Sequence, residues 1–235
     1  MVYGELGRQP LNITVAKRVI GFWHNLTATH NQMKLSNILY TILRSNACTD
    51  NNNKLKWLKY VETILNDCGL TRVFNNPQIY NKQWLTSRVE IILTDQFIQL
   101  WNNQIQQSSK GLYYQHLKIK PEFEKYLLLS KPISVPILKF RTCNHHLPVE
   151  VGRWLGIPRL ERTCSLCDSP VVADEFHYLF KCPFFNNERL LYIPNKYCKW
   201  PNMHKLRCIL STKKVKDIKN LSKFVSVVLS AVKKT

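Results

Sequence analysis

Glycine is scarce in this chain, 7 residues in 235, and acids are few, 15 against 34 lysines and arginines. So little glycine excludes collagen-like and flexible low-complexity chains, while 45% apolar and 11% aromatic residues suffice for a buried core. No apolar run of about 18 residues is present, so no membrane span is expected. No secretory leader is read at the start, and no internal repeat recurs. Length allows one large domain or two small ones.

Basic residues and cysteines are abundant. A net charge of +19 and a pI near 9.7 point to a polyanionic partner. The charge is uneven: residues 163–180 hold three acids and no lysine or arginine, whereas 181–235 hold 13 basic residues and two acids. Eight cysteines without a leader fit metal binding in a reducing, intracellular compartment better than disulfides.

Four ligand types stand in one short stretch as C-x2-C-x9-H-x4-C: Cys164, Cys167, His177 and Cys182. A C-x2-C turn puts two thiolates within reach of one ion, and a His and a Cys about one helical turn apart close a tetrahedron. Zn2+ is the expected occupant. Asp168-Ser169-Pro170 reads as a turn, Val171-Val172 as a short strand return of a hairpin, and 173–182 as helical, with Pro183 past the last ligand. The alternative is three buried thiols and a surface histidine. A retroviral knuckle has a shorter middle spacer, and a zinc deaminase needs H-x-E before P-C-x-x-C, which is absent.

Elsewhere the pattern is helical. Pro10 opens a helix with Ile13, Ala16, Val19, Ile20, Trp23 and Leu26 inward; a second runs from about Met33 to Arg44 with Leu35, Ile38, Leu39 and Ile42 on one face. Asp50–Asn53 reads as a loop, and Leu55 to Cys68 as a helix capped by Gly69. After Asn75-Asn76-Pro77 comes a helix of about 25 residues with a Trp84, Ile91, Ile98, Trp101, Ile105 stripe and Leu85, Val89 and Ile92 beside it. Shorter helices are expected over 122–129, 135–142, 184–192 and 203–210, and the segment 146–153 is expected to be extended. The last helix buries Val215, Ile218, Leu221, Phe224, Val225, Val228, Leu229 and Val232 and carries Lys213, Lys214, Lys216, Lys219 and Lys223 at its start and outer side. The expected class is all-α: a helical bundle over 1–131, then a CCHC zinc-stapled subdomain with a short β-hairpin and basic C-terminal helices over 132–235.

Three segments taken together carry a resemblance: Tyr3-Gly-Glu-Leu-Gly-Arg-Gln-Pro10, then Arg141 with Asn144-His145-His146-Leu-Pro-Val-Glu-Val-Gly-Arg-Trp154, then Glu161-Arg-Thr-Cys-Ser-Leu-Cys167 with Asp174-Glu-Phe-His-Tyr-Leu-Phe-Lys-Cys-Pro183. This resembles the region after the polymerase in LINE-type (non-LTR retrotransposon) endonuclease–reverse transcriptase polyproteins. The resemblance implies a reverse-transcriptase zinc-binding module that helps hold element RNA and target DNA, with Cys164, Cys167, His177 and Cys182 at the family's ligand positions. It also implies a nuclear location and the parent polymerase domain as a possible protein partner. Neither the adjacent Asp-Asp of a polymerase palm nor the His/Asp/Asn/Glu set of an apurinic-type nuclease is present. No enzyme activity is expected, and Met1 reads as the start of a fragment or remnant reading frame.

Phosphate contacts are expected from Arg141, Arg153, Arg159, Arg162, Lys181, Lys213, Lys214, Lys216 and Lys219. Arg141, His146, Glu150 and Arg153 have a second reading as an internal brace, with Glu150 pairing an arginine beneath the metal. Cys143-x2-His146 with Cys198, His204 and Cys208 offers ligand types for a second site, but at irregular intervals that buried thiols also explain. Cys48 and Cys68 read as buried thiols. Glu188 with Asp217-Ile-Lys219 resembles a restriction-type acid-x-Lys set, yet both fall on expected helices, which do not present that pair. Trp154, Tyr192, Tyr197 and Trp200 interleave with basic residues and serve either stacking on bases or packing. Two readings therefore stand: a nucleic-acid-binding module, or a zinc-stabilised protein-interaction domain that docks onto the polymerase portion.

Overall fold

A computed structural model describes residues 1–28, 34–49, 56–167 and 169–233. The Asp50–Asn53 tract, Met33, Leu55 and Asp168 lie outside them. Thirteen α-helices are formed among the described residues. In chain order they are α1 (Val2–Leu6), α2 (Leu11–Ala28), α3 (Leu35–Thr49), α4 (Lys56–Asp67), α5 (Thr71–Asn75), α6 (Lys82–Gln107) and α7 (Tyr114–Leu117). There follow α8 (Lys131–Arg141), α9 (Pro148–Trp154), α10 (Asn186–Tyr192), α11 (Asn195–Cys198), α12 (Met203–Leu210) and α13 (Val215–Val232). The mostly helical class is as expected. The hairpin is not: among the described residues there are only two isolated antiparallel bridges, Leu6 with Phe123 and Thr163 with Val172.

The chain forms two compact units, Gln9–Trp101 and Met1–Arg8 with Asn102–Thr235, so neither matches the expected parts 1–131 and 132–235. The physical reason is local. Glu5 of α1 pairs with Arg141 of α8, and the Glu124 N–H donates to the Glu5 carbonyl at 3.0 Å, which builds the first residues into the C-terminal unit.

In the unit Gln9–Trp101, Ala16, Ile20 and Trp23 of α2 pack with Val61, Ile64 and Leu65 of α4 and with Leu85 and Val89 of α6. Two expected faces are displaced, one of them in part. Along α6, Trp101 and Ile105 of the expected stripe are buried, but in the first half Leu85 and Val89 are buried and Trp84 and Ile91 exposed; on α3 it is Tyr40 that is buried, and Leu35, Ile38, Leu39 and Ile42 are exposed. Periodicity set the spacing in both helices, but neighbours decided the phase. Gly69, at φ 68°, ends α4: the Leu70 N–H reaches the Leu65 carbonyl and the Gly69 N–H the Asn66 carbonyl, a Schellman closure that favours a left-handed residue.

The other unit is organised on α13, whose Leu221, Phe224, Val225 and Val228 pack with Phe140, Leu147, Tyr178, Phe185 and Leu206. Residues 146–153 are not extended as expected. Pro148 takes the first position of α9, where a missing N–H costs nothing, and the Val151 N–H closes onto the Leu147 carbonyl at 3.1 Å. Gly152 is required on this helix because a Cβ there would lie 2.7 Å from the Arg162 side chain.

Candidate metal centre

The first two thiols are set by a loop and the last two ligands by a turn. The Thr163–Val172 bridge, with the Ala173 N–H on the Arg162 carbonyl at 2.8 Å, closes the loop that carries Cys164 and Cys167. Residues His177–Lys181 then form a π-helical turn, and the Cys182 N–H donates to the His177 carbonyl at 2.8 Å. In an α-helix, side chains five positions apart diverge by about 140°. The wider π turn brings His177 and Cys182 to one side, which is how an x4 spacer serves one site.

The four ligand atoms lie within 4.8 Å of one another, a spacing that one metal ion can span. Cys164 Sγ is 3.9 Å from Cys182 Sγ, and Cys167 Sγ is 3.4 Å from His177 Nε2. Metal–sulfur bonds of about 2.3 Å place tetrahedral ligands about 3.8 Å apart, so these separations match tetrahedron edges. All three thiols are free. Burial pushes the Cys182 and Cys167 thiols up and His177 down, and the latter shift favours the neutral imidazole, the form that ligates. His177 Nδ1 is buried without a hydrogen-bond partner. The other ring nitrogen, Nε2, is the one that faces the thiol cluster, beside Cys167 Sγ.

Three residues hold the turn in place. Asp174 Oδ1 accepts the His177 backbone N–H at 3.0 Å, while its Oδ2 accepts from the Tyr113 hydroxyl at 2.5 Å and from Arg159 Nη2 at 2.9 Å. The buried Arg189 of α10 donates to the carbonyls of Leu179, Tyr178 and Cys182 at 2.9, 3.3 and 2.7 Å, capping the turn's C-terminal end. Tyr178 lies under the site, its hydroxyl donating to Cys164 Sγ at 3.5 Å.

The expected phosphate contacts divide into two groups. Arg141 is excluded: its side chain is 0% exposed and its guanidinium is taken by Glu5, Glu124 and the Leu210 carbonyl. Arg153 is half-buried, bonded to Glu150 at 3.1 Å and stacked 4.5 Å from the Trp154 ring centroid. Arg159 is held by Asp174, and Arg162 donates to the Ile157 and Val149 carbonyls at 2.8 Å each. Lys181, Lys213, Lys214, Lys216 and Lys219 are exposed. Of the brace reading, the pairing of Glu150 with an arginine is present, with Arg153, whereas Arg141 pairs with Glu5 and Glu124 instead.

The ligand types weighed for a second site, Cys143, His146, Cys198, His204 and Cys208, do not gather, in keeping with the buried-thiol alternative. Cys143 meets His145 and Glu175 rather than His146, and these three ligand atoms lie within 4.8 Å of one another. His145 Nε2 is 2.9 Å from Glu175 Oε1, and burial with the nearby Glu175 carboxylate pushes the Cys143 thiol up. Burial opposes the Glu175 charge, but the bonds to His145 and Cys143 outweigh it and lower its pKa. His145, Asp174 and Glu175, which pair beside the cluster or hold its turn, are marked by no spacing of their own in the sequence and stand out only by lying near His146 and His177. Cys208 pairs with His204 at 3.7 Å, Cys198 packs against the core, Cys68 is buried, and the Cys48 side chain lies outside the described residues.

Comparison with protein-family models, curated proteins and solved structures finds no match. No described helix is long and apolar enough to cross a membrane.

Proposed function

We propose that this chain is a non-catalytic, zinc-stabilised nucleic-acid-binding module, akin to the zinc-binding region that follows the polymerase in LINE-type polyproteins and acting on element RNA or target DNA in the nucleus. The observation that carries the proposal is the Cys164, Cys167, His177, Cys182 cluster, with four ligand atoms within 4.8 Å. Three thiolates and an imidazole in a tetrahedron favour zinc, and four protein ligands leave no open position for chemistry. Zinc acts here as a staple worth on the order of 10 kcal/mol of folding energy. The exposed lysines after Cys182 supply the attraction to phosphate.

Metal analysis and thermal melting test the assignment. One zinc per chain is expected, lost together with cooperative melting in Cys182→Ser and retained in Cys208→Ser. Full zinc content and unchanged melting of Cys182→Ser overturn it.

One observation favours the protein-interaction reading, namely the exposed stripe Leu35, Ile38, Leu39 and Ile42 on α3. Under that reading, charged substitutions on this stripe abolish association with a polymerase fragment, and affinity for nucleic acid is absent or insensitive to salt.

A further inference from the structure

Between α8, α10 and α13 lies an open cleft of about 780 Å³. One wall is the α13 stripe Lys216, Lys219 and Lys223, spaced three and four residues apart and therefore on one face. Pro132, Ile133 and Val227 give it apolar surface, and Tyr192 of α10 stands among them, half-buried. No acid lines the cleft among the described residues. Among the described residues none of the three lysines has an ion pair, and the Tyr192 hydroxyl has no hydrogen bond. The Ser222 hydroxyl donates to the Pro132 carbonyl at 3.3 Å and ties α13 to α8, so the cleft is preformed.

We infer that this cleft seats an unpaired nucleotide of a single-stranded nucleic acid, with the base against Tyr192 and the apolar surface and the adjoining phosphates on Lys216, Lys219 and Lys223. The inference rests on the nucleic-acid reading above and deepens it by naming the form bound. Cation wall and apolar surface are both needed for a base with its phosphate, and the volume falls in the range of small-ligand sites. In a duplex the base faces are stacked inside and only phosphates reach a protein, so a duplex uses the lysines and leaves Tyr192 idle. A base–aromatic contact is worth about 1–3 kcal/mol, or at least about fivefold in affinity.

The test uses the full zinc-loaded chain and fluorescence anisotropy with three labelled probes of one sequence, about 12 nucleotides long: RNA strand, DNA strand and DNA duplex. Tyr192→Leu keeps apolar bulk, and zinc content with melting confirms its fold. It is expected to lose at least about fivefold in affinity for one or both single strands and less than about twofold for the duplex. Tyr192→Phe is expected to bind like the parent. A surface variant, Lys216→Gln with Lys219→Gln and Lys223→Gln, does not disturb the core and is expected to weaken the single strands by more than about tenfold. Equal losses on strands and duplex in Tyr192→Leu, or no loss from the lysine variant, overturn the cleft assignment while leaving nucleic-acid binding intact. Failure of the parent chain to bind any probe overturns the broader reading as well.

Discussion

The Arg189 guanidinium sits on the carbonyl of Cys182, Nη2 to oxygen 2.7 Å, so a cation from α10 closes the turn that supplies the last thiol. The same side chain holds the Leu179 and Tyr178 carbonyls, and all these groups are shielded from water. Folding of the candidate metal centre therefore depends on a residue that is not a ligand.

Arg189→Met keeps length and apolar contact but leaves those carbonyls unpaired. We expect a loss of about 2–4 kcal/mol in urea denaturation and a weaker hold on metal, because buried acceptors lose a charged donor. An unchanged midpoint would show that the carbonyls find other partners.

Arg141 and Glu5 form a pair whose side chains are 0% and 1% exposed. Truncating Glu5 to Ala, or deleting residues 1–8, leaves the guanidinium with only Glu124 and the Leu210 carbonyl and costs up to about 3–5 kcal/mol of unfolding free energy. Nucleic-acid affinity per folded molecule is expected to stay the same, since Arg141 has no surface to offer. A lowered affinity at full stability would contradict the burial.

Tyr114 and Tyr126 both lie against Glu5, and burial together with that carboxylate pushes each phenol well up. A raised folded pKa contributes stability that is fully present below the unfolded value of about 10 and is lost progressively as pH rises from there towards and through the folded value. Ultraviolet titration of the folded protein should thus show these two phenols silent until alkaline unfolding. Tyr126→Phe should flatten the fall in stability above pH of about 10. Ionisation of both phenols before unfolding would refute this.

For nucleic-acid binding, engagement of about five phosphates gives a log–log salt slope near −4 to −5. Replacing Lys213, Lys214 and Lys216 by Ala should flatten the slope by up to about three without altering zinc content, because none is a ligand. A slope that does not move would place the contacts elsewhere.

The sequence by itself determined the helical class, the four residues that gather in the candidate metal centre, and most of the inward faces of α2, α4 and α13, although Val215 of α13 is exposed. Short-range rules act there: helical period, a capping Gly69 and ligand types at close spacing. Only the tertiary structure decided that His177 and Cys182 meet through a π turn, that residues 146–153 form a helix, and that the Thr163–Val172 return is a single bridge. It also turned Arg141 from an expected phosphate contact into a buried partner of Glu5, more than a hundred residues earlier. Charge and spacing show which side chains are able to bind an anion, but long-range packing decides which of them remain in water, because a buried guanidinium needs its carboxylate inside the protein.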